Sequence, residues 1–256
     1  MDYEKDINKI CLGESVSNRI KVIVCTHKKC DMPKDSMYLP LHVGAAGKKG
    51  VDGLPLDFGY VRDDTGDNIS TKNLNFGTQT GLYWAWKNLD SDYKGLVHYR
   101  RYFVGKNYKK GDMIGSVITE NEIEPMLEKY KVFVPKKRKY YIETLYSHYA
   151  HTHDESHLKI VEGIIKTDCP EYLNAFNKVM NRKWGYMFNM MILEKMLMDD
   201  YCTWLFNILF QAVDRIDKSN LSAFDSRFCG RISEILFDVW LENKLQTGKV
   251  KESEVK

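Results

Sequence analysis

Apolar residues occur along the chain in short runs and in helical periodicities that predict strands and helices in mixed order. The first run, residues 19–25, is rich in β-branched residues and predicts a buried strand. Residues 93–97 and 131–135 predict two further strands, and the Met-rich segment 184–192 predicts a fourth. Asn189 interrupts this fourth strand, and a buried amide there must hydrogen-bond to backbone or to a bound ligand. We therefore expect an α/β fold.

Helical periodicity accounts for most of the remaining apolar residues. The predicted helices span residues 77–88, 120–130, 156–166, 170–181 and 194–216, with others beginning near residue 144 and passing through residues 234–241. Thr119 and Glu122 form a capping box that starts the second of these helices. Residues 31–66 are punctuated by Gly and Pro and predict a long functional loop, whereas the charged residues 246–256 predict a disordered tail.

Composition narrows the class of protein. The chain has 256 residues, of which 43% are hydrophobic, enough for one large core. Its 38 basic and 35 acidic residues nearly balance, so no nucleic-acid partner is expected. The six cysteines are scattered, as is typical of reduced thiols in a cytoplasmic protein. Since no secretory signal or membrane-spanning run is present, we expect a soluble cytoplasmic protein, with contact to the inner face of the membrane as an open alternative.

A cluster of cations follows the second predicted strand. Residues 93–97 run without a turn signal into His98, Tyr99, Arg100 and Arg101. Arginine presents a rigid, permanently charged fork that suits phosphate or carboxylate, and two in succession predict an anion site. The alternative is that one arginine is solvated while the other pairs with an acid.

Polar residues at two other places are candidates for ligand contacts. His27 and Lys28 follow the first strand, at the end where ligands bind in open α/β sheets. The segment 63–73 is dense in acids, amides and hydroxyls, a composition suited to sugar hydroxyls or a divalent cation, although it lacks the spacing of a calcium loop. For His27 and Lys28 a plain polar loop is the alternative.

The basic run 136–139 is followed by two tyrosines. Such a run could meet anionic lipid headgroups or a diphosphate-bearing acceptor, but it is more often a solvated face.

Four histidines lie on or beside the helix that begins near residue 144. Their spacing pairs His148 with His151, and His153 with His157, on shared faces if the helix continues. The order of histidines and acids does not match a dinuclear metallohydrolase, so no metal ligands are predicted here.

Several motifs together resemble one known family. They are His27-Lys28, Asp67-Asn68-Ile69-Ser70 with Lys72-Asn73, Tyr83-Trp84-Ala85-Trp86-Lys87-Asn88, His98-Tyr99-Arg100-Arg101-Tyr102-Phe103, Phe188-Asn189-Met190, and Arg227 with Glu234. From Ile20 to about Leu241 the chain resembles bacterial capsule, exopolysaccharide and O-antigen glycosyltransferases assigned as galactofuranosyltransferases. It departs from their pattern at Ile235, where an arginine is usual, and at Arg231, where an aromatic residue is common.

The resemblance implies a GT-A-like, Rossmann-like mixed sheet flanked by helices, with a helical C-terminal part. It implies transfer of galactofuranose from UDP-galactofuranose, with inversion, to a lipid-linked glycan. The expected organisation is an extension (1–18), a single glycosyltransferase domain (19–245) and a tail (246–256). Within that domain, 19–135 would bind the nucleotide sugar and 136–245 would face the acceptor. No oligomeric state is predicted.

Inverting transfer needs a general base and neutralisation of the departing diphosphate. The candidate bases are Asp225, Glu234 and His98. No Asp-x-Asp triplet follows a strand, so we expect Arg100 or Arg101, helped by Lys28 or Arg227, to contact the diphosphate. The remaining predicted substrate contacts are His27, Asp67, Asn68, Lys72, Asn73, Trp84, Tyr99 and Asn189. No cofactor is required by this scheme, with Mg²⁺ or Mn²⁺, bound near Asp67, as the alternative.

Two other functions compete with this one. The histidines from His148 to His157 would serve a metal-dependent hydrolase, which would hold zinc. A non-catalytic nucleotide- or glycan-binding module would bind UDP without turnover.

Overall fold

The computed structural model describes residues 19–256. The predicted N-terminal extension, residues 1–18 with Cys11, lies outside them. The strands are β1 (Ile20–Thr26), β2 (Tyr38–His42), β3 (Val61–Arg62), β4 (Tyr93–His98), β5 (Val132–Phe133), β6 (Arg138–Lys139), β7 (Trp184–Gly185) and β8 (Met191–Glu194). The helices are α1 (Asn73–Phe76), α2 (Gln79–Asn88), α3 (Glu120–Ile123), α4 (Leu145–Thr152), α5 (Ser156–Asp168), α6 (Leu173–Met180), α7 (Lys195–Arg215) and α8 (Phe228–Gln246).

Six strands form one mixed sheet in the order β3-β2-β1-β4-β8-β5. Strands β1 to β4 are parallel, with β1 paired to both β2 and β4. Strand β8 runs antiparallel to its two neighbours. The carboxyl ends of β1 and β4 therefore lie side by side, with Cys25 opposite His98. A separate antiparallel pair joins β6 to β7.

The sheet is buried on both faces. In β1, Ile23 and Cys25 pack into the larger core, whereas Val22 and Val24 pack into the smaller one, as the alternation of side chains along a strand requires. Most of the larger core comes from α5 to α8, so the C-terminal part is mainly helical. The predicted α/β architecture, a mixed sheet flanked by helices with a helical C-terminal part, is confirmed.

A buried carboxylate ties the loops after β2 and β3 to helix α2. Asp63 has no exposed surface. Its Oδ2 accepts from the Gly44 amide at 2.8 Å and the Thr80 hydroxyl at 2.6 Å. Its Oδ1 accepts from the Ala45 amide at 3.0 Å and the Ser70 hydroxyl at 2.5 Å. These four bonds hold the connections that lead to the start of α2.

Helix α2 approaches the end of β1 closely. A Cβ atom at Gly81 would lie 2.7 Å from the Cys25 sulfur and 2.9 Å from Val43. Only glycine therefore permits this packing, which brings the first residues of α2 beside the carboxyl end of β1.

Two predicted segments are wrong in part because the pattern of apolar residues there is short or broken. The predicted loop 31–66 contains β2 and β3. Strand β2 has only five residues, with Pro40 in the middle, so its alternation is too short to recognise. The helix predicted over 120–130 is α-helical only to Ile123, because Pro125 converts the next turn to a 3₁₀ helix. Its capping box at Thr119 and Glu122 is present.

Three other predictions need correction at the C-terminal half. The strand predicted over 184–192 is split into β7 and β8 by a turn. Helix α8 is longer than the predicted segment 234–241. The tail is ordered rather than disordered, because Val255 bridges to β5 and the Lys256 amide donates to the Val132 carbonyl at 2.8 Å.

Within residues 19–256, none of the helices combines the length and the apolar character that crossing a bilayer requires.

Candidate active site

A cavity of about 350 Å³ lies at the carboxyl ends of β1 and β4. It is closed on the other sides by the start of α2, the turn between β7 and β8, and the start of α8. The lining residues are His27, Val43, Asn73, Gly77, Thr78, His98, Arg101, Phe188, Asn189, Phe224, Arg227, Gly230, Arg231 and Glu234. In parallel sheets this edge is where ligands bind, and we call this space the central cavity.

A tight turn directly after β4 directs the two arginines. The His98 amide donates to the Arg101 carbonyl at 3.1 Å, and the Arg101 amide donates to the His98 carbonyl at 2.9 Å. Tyr99 and Arg100 therefore occupy the tip. Arg101 turns back toward the central cavity, and its guanidinium lies over the Phe188 ring, 4.6 Å from the centroid.

His98 holds the turn between β7 and β8. Its Nε2 lies 2.5 Å from the Phe188 carbonyl oxygen, to which it donates. Burial lowers the pKa of His98, and the nearby Arg101 cation lowers it further. The Nε2–H bond makes His98 a positioning residue, and the lowered pKa makes its other ring nitrogen, Nδ1, a weak base.

The backbone at Phe188 and Asn189 adopts a rare conformation. Both residues have positive φ, 79° and 52°, which costs free energy in a bulky side chain such as phenylalanine. The Asn189 side chain holds it in place, since Nδ2 donates to the Gly230 carbonyl at 2.7 Å and Oδ1 accepts from the Ser233 hydroxyl at 3.0 Å. The buried amide noticed in the sequence is thus bonded to α8, and it anchors the turn that lines the cavity.

Cations without carboxylate partners face the cavity. Within residues 19–256, Arg101 and Arg227 take part in no ion pair, so the alternative in which one arginine of the His98 segment pairs with an acid does not hold for Arg101. The pKa of His27 is lowered by burial and then by the cations of Arg227, Lys28 and Arg100. The edge of the sheet therefore carries a positive potential suited to a polyanion.

Lys28, Tyr99 and Arg100 form a cluster just outside the cavity. The Lys28 Nζ lies 5.4 Å and the Arg100 guanidinium 4.9 Å from the centroid of the Tyr99 ring. The His27 ring meets Tyr99 edge to face at 5.6 Å. These contacts orient cations at the mouth of the cavity.

Glu234 is the single carboxylate among the described residues that line the cavity. Burial raises the pKa of Glu234 to about 7. The Phe188 backbone and the cations of Arg101 and Arg138 oppose this rise by stabilising the ionised form. A carboxylate with a pKa near neutrality is suited to accept a proton from a substrate hydroxyl.

Asp225 is a weaker candidate for the base. It does not line the cavity, and its side chain accepts from the Ser222 hydroxyl at 2.5 Å. That bond, with the Arg231 cation 3.5 Å away, holds the pKa of Asp225 below its usual range. Arg231 also donates to the Phe224 carbonyl at 2.7 Å, so this group closes one wall of the cavity.

The predicted site residues divide into two groups. Those that line the cavity are His27, Asn73, His98, Arg101, Asn189, Arg227 and Glu234, and those that do not are Lys28, Asp67, Asn68, Lys72, Trp84, Tyr99, Arg100 and Asp225. Asn68 uses its amide within its own turn, with the Gly66 carbonyl and the Ser70 amide. Trp84 is only 6% exposed, and its indole N–H donates to the Thr65 carbonyl at 3.1 Å.

Several lining residues escaped prediction from the sequence. Gly77 and Thr78 line the cavity because they precede α2, and Phe188 does so because its backbone reverses. The glycine signal is present in the sequence, but Phe188 is marked there only as part of the motif Phe188-Asn189-Met190, with no role predicted for it. Arg231 was noticed only as a departure from a family pattern.

The histidines from His148 to His157 do not converge. Helix α4 ends at Thr152, so His153 lies outside it. His148 and His151 both contact Glu143, at 2.7 and 2.6 Å, whereas the buried His157 contacts the Tyr149 hydroxyl. Among the described residues, no group of three or more His, Cys, Asp or Glu side chains could hold a metal ion.

Comparisons with known proteins agree with this architecture. No curated protein matches the chain. A solved apo structure of WbbM, a bifunctional glycosyltransferase, superposes with a TM-score of 0.82 and 28% identity. The alignment covers 93% of this chain and 44% of that one, so the chain spans less than half the length of WbbM. Residues 21–245 match the family described as a domain of unknown function, DUF4422, and the chain belongs to that family.

Proposed function

We propose that this protein is a glycosyltransferase that moves a sugar from a UDP-sugar to a hydroxyl group, with inversion at the anomeric carbon. The observation that carries the proposal is the central cavity, in which a carboxylate with a pKa near 7, Glu234, lines the same space as Arg101 and Arg227. The likeness to part of a bifunctional glycosyltransferase supports the same class of reaction.

In this proposal Glu234 is the general base. Its carboxylate takes the proton of the acceptor hydroxyl while the hydroxyl oxygen bonds to the anomeric carbon. The bond from that carbon to the diphosphate oxygen breaks on the opposite face, and UDP leaves with the electron pair. Arg101 and Arg227 offset the charge that develops on the leaving diphosphate.

We further propose UDP-galactofuranose as the donor, in the synthesis of a bacterial capsule, exopolysaccharide or O-antigen. The support is the set of motifs shared with galactofuranosyltransferases, above all residues 98–103 and the pair Arg227 and Glu234. Arg231 and Ile235, where the chain departs from those motifs, flank Glu234 and are the first positions to examine if another sugar is preferred.

The residues at the site do not fit a divalent cation. A GT-A metal site uses paired acidic side chains at a strand end, whereas β4 ends in His98, and the tip beyond it holds Tyr99 and Arg100. Glu234 is the one carboxylate lining the central cavity among residues 19–256, and it lies beside arginines. Arginine is therefore assigned the role of neutralising the diphosphate.

The experiment is a donor screen. The protein is incubated with UDP-galactofuranose, UDP-galactopyranose or UDP-glucose and a short glycan acceptor, and products are analysed by mass and NMR. We expect a β-linked galactofuranosyl product that forms equally with and without EDTA.

UDP binding without turnover on any donor would overturn the enzymatic proposal in favour of a binding module. Loss of transfer in EDTA with recovery in Mn²⁺ would overturn the assignment to arginine alone. Stoichiometric bound zinc with donor hydrolysis independent of acceptor would favour the hydrolase.

A further inference from the structure

A second space adjoins the central cavity. This groove has a volume of about 510 Å³ and lies between the segment after β4 and the chain that leaves β5. Its walls are largely apolar, with Val104, Tyr108, Met113, Val117, Pro135 and Met190 among the lining residues. We call it the apolar groove.

Three of its side chains are unusually exposed for their type. Val104 is 60%, Tyr108 63% and Met113 46% exposed. Single exposed apolar side chains are ordinary, but several lining one concave surface mark a binding site for an apolar group.

The rim of the groove is cationic. Arg100, Lys109 and Lys136 line it, and within residues 19–256 none of them pairs with a carboxylate. The single acidic lining residue, Asp112, is engaged by the Gly115 amide at 2.7 Å. An apolar floor under a positive rim is complementary to an amphiphile with an anionic head and an apolar chain.

The groove borders the central cavity. Arg101 and Phe188 line both, so the stacked pair forms a shared wall. The Phe188 backbone also stabilises the Glu234 carboxylate. A molecule held in the groove by its head group therefore lies next to the candidate base.

We propose that the apolar groove binds the acceptor substrate, a lipid whose apolar chain ends in a diphosphate that carries the accepting sugar. The chain lies along Val104, Tyr108 and Met113. The diphosphate meets Lys136 and Arg100, and the sugar passes over Phe188 toward Glu234. That the bound lipid is an acceptor rests on the proposed transferase function. That the groove binds a lipid diphosphate does not.

The first test measures binding alone. Farnesyl diphosphate, kept below its critical micelle concentration, is titrated into the full chain and followed by calorimetry. Met113→Glu places a charge on the floor of the groove and should weaken binding by about tenfold or more. Met196→Glu is the matched control, since Met196 is 72% exposed at the start of α7, near the opposite end of β4.

Lys136→Ala separates the two halves of the ligand. We expect it to weaken farnesyl diphosphate while leaving farnesol unchanged, whereas Met113→Glu should weaken both. Equal binding of farnesyl diphosphate by wild type, Met113→Glu and Lys136→Ala would overturn the proposal. Binding to anionic vesicles but not to monomeric farnesyl diphosphate would also overturn it, in favour of a membrane-contact surface.

The second test separates this proposal from the proposed function. If Met113→Glu loses transfer to a lipid-linked glycan but keeps transfer to a soluble glycan, both proposals stand. If the wild type transfers no sugar to either acceptor from any donor, while farnesyl diphosphate still binds in the groove, the transferase proposal fails and the lipid site remains. If Met113→Glu uses both acceptors as well as wild type does, the groove is not the acceptor site.

Discussion

Asp63 is fully buried and Glu234 is partly buried, and their surroundings differ. Asp63 receives four hydrogen bonds from two backbone amides and two hydroxyls. Glu234 lies in the central cavity, where the Phe188 backbone and nearby arginines stabilise its charge without cancelling the cost of burial. The sequence marks the acid-rich segment that contains Asp63 as a ligand site by its composition, whereas it marks Glu234 only through the family resemblance, as one of three candidate bases.

The difference shows that the hydrogen-bond donors around a carboxylate decide whether it is structural or can take part in a reaction. A carboxylate whose oxygens are fully used by its own chain has no capacity left for a substrate, and removing it leaves buried donors unpaired. A carboxylate with a raised pKa beside an open cavity can bind and release a proton at neutral pH. The experiments below try to break this distinction, starting with the largest expected effect.

Glu234→Gln keeps the size of the side chain but removes the base. We expect the turnover rate to fall by about 10²–10⁴-fold with the thermal midpoint of unfolding little changed. The measurement is steady-state transfer with saturating donor. Asp225→Asn is the matched control and should stay within a few-fold of wild type. Turnover of Glu234→Gln equal to that of the control would remove Glu234 from the mechanism.

Asp63→Ala should act on stability. It strands four buried donors, so we expect the free energy of unfolding to fall by about 3 kcal/mol or more. Urea denaturation followed by circular dichroism measures it. Asp67→Ala is the control and should cost less than about 0.5 kcal/mol, because the exposed Asp67 side chain hydrogen-bonds, among residues 19–256, only to the Tyr83 hydroxyl. Similar losses in both variants would contradict the structural role of Asp63.

The smallest effect is on pH dependence. Since the base must be ionised, kcat/KM should rise with pH through about 7, the pKa of Glu234 in the free protein, and then level off. The Arg101 cation lowers that pKa, so Arg101→Ala should move this limb to higher pH by less than about one unit, besides slowing transfer. Arg100 does not perturb Glu234, and Arg100→Ala should leave the limb in place. A limb that both variants shift alike would mean that another group titrates.

Much of the sheet could be predicted because its central strands are buried on both faces. The apolar runs at β1 and β4 can be recognised in the sequence. The general rule that ligands bind at the carboxyl ends of parallel strands then identifies the residues after them as candidate site residues. Strands β2 and β3 could not be predicted in the same way, since one contains a proline and the other has two residues. They form because β1 provides an edge for β2 and β2 in turn provides one for β3, which is a tertiary cause.

The candidate site was predictable where chemistry is local. His98 and Arg101 share one short turn, and Arg227 precedes a helix that also carries Glu234. The family motifs also predict Asp67, Asn68 and Trp84 as site residues. Their polar groups instead form hydrogen bonds outside the cavity, Asp67 with the Tyr83 hydroxyl, Asn68 within its own loop and Trp84 with Thr65. The backbone conformation that brings Phe188 into the cavity wall could not be predicted, because its positive φ depends on hydrogen bonds from Asn189 to a helix distant in sequence.

The wall shared by Arg101 and Phe188 bears on the order in which substrates bind. A ligand that draws the Arg101 guanidinium toward one space changes the shape and charge of the other, so the two occupancies are thermodynamically linked. Linked occupancy of this kind makes the dissociation constant of either proposed substrate depend on whether its neighbour is already bound, so the substrate that binds first can promote or oppose binding of the second.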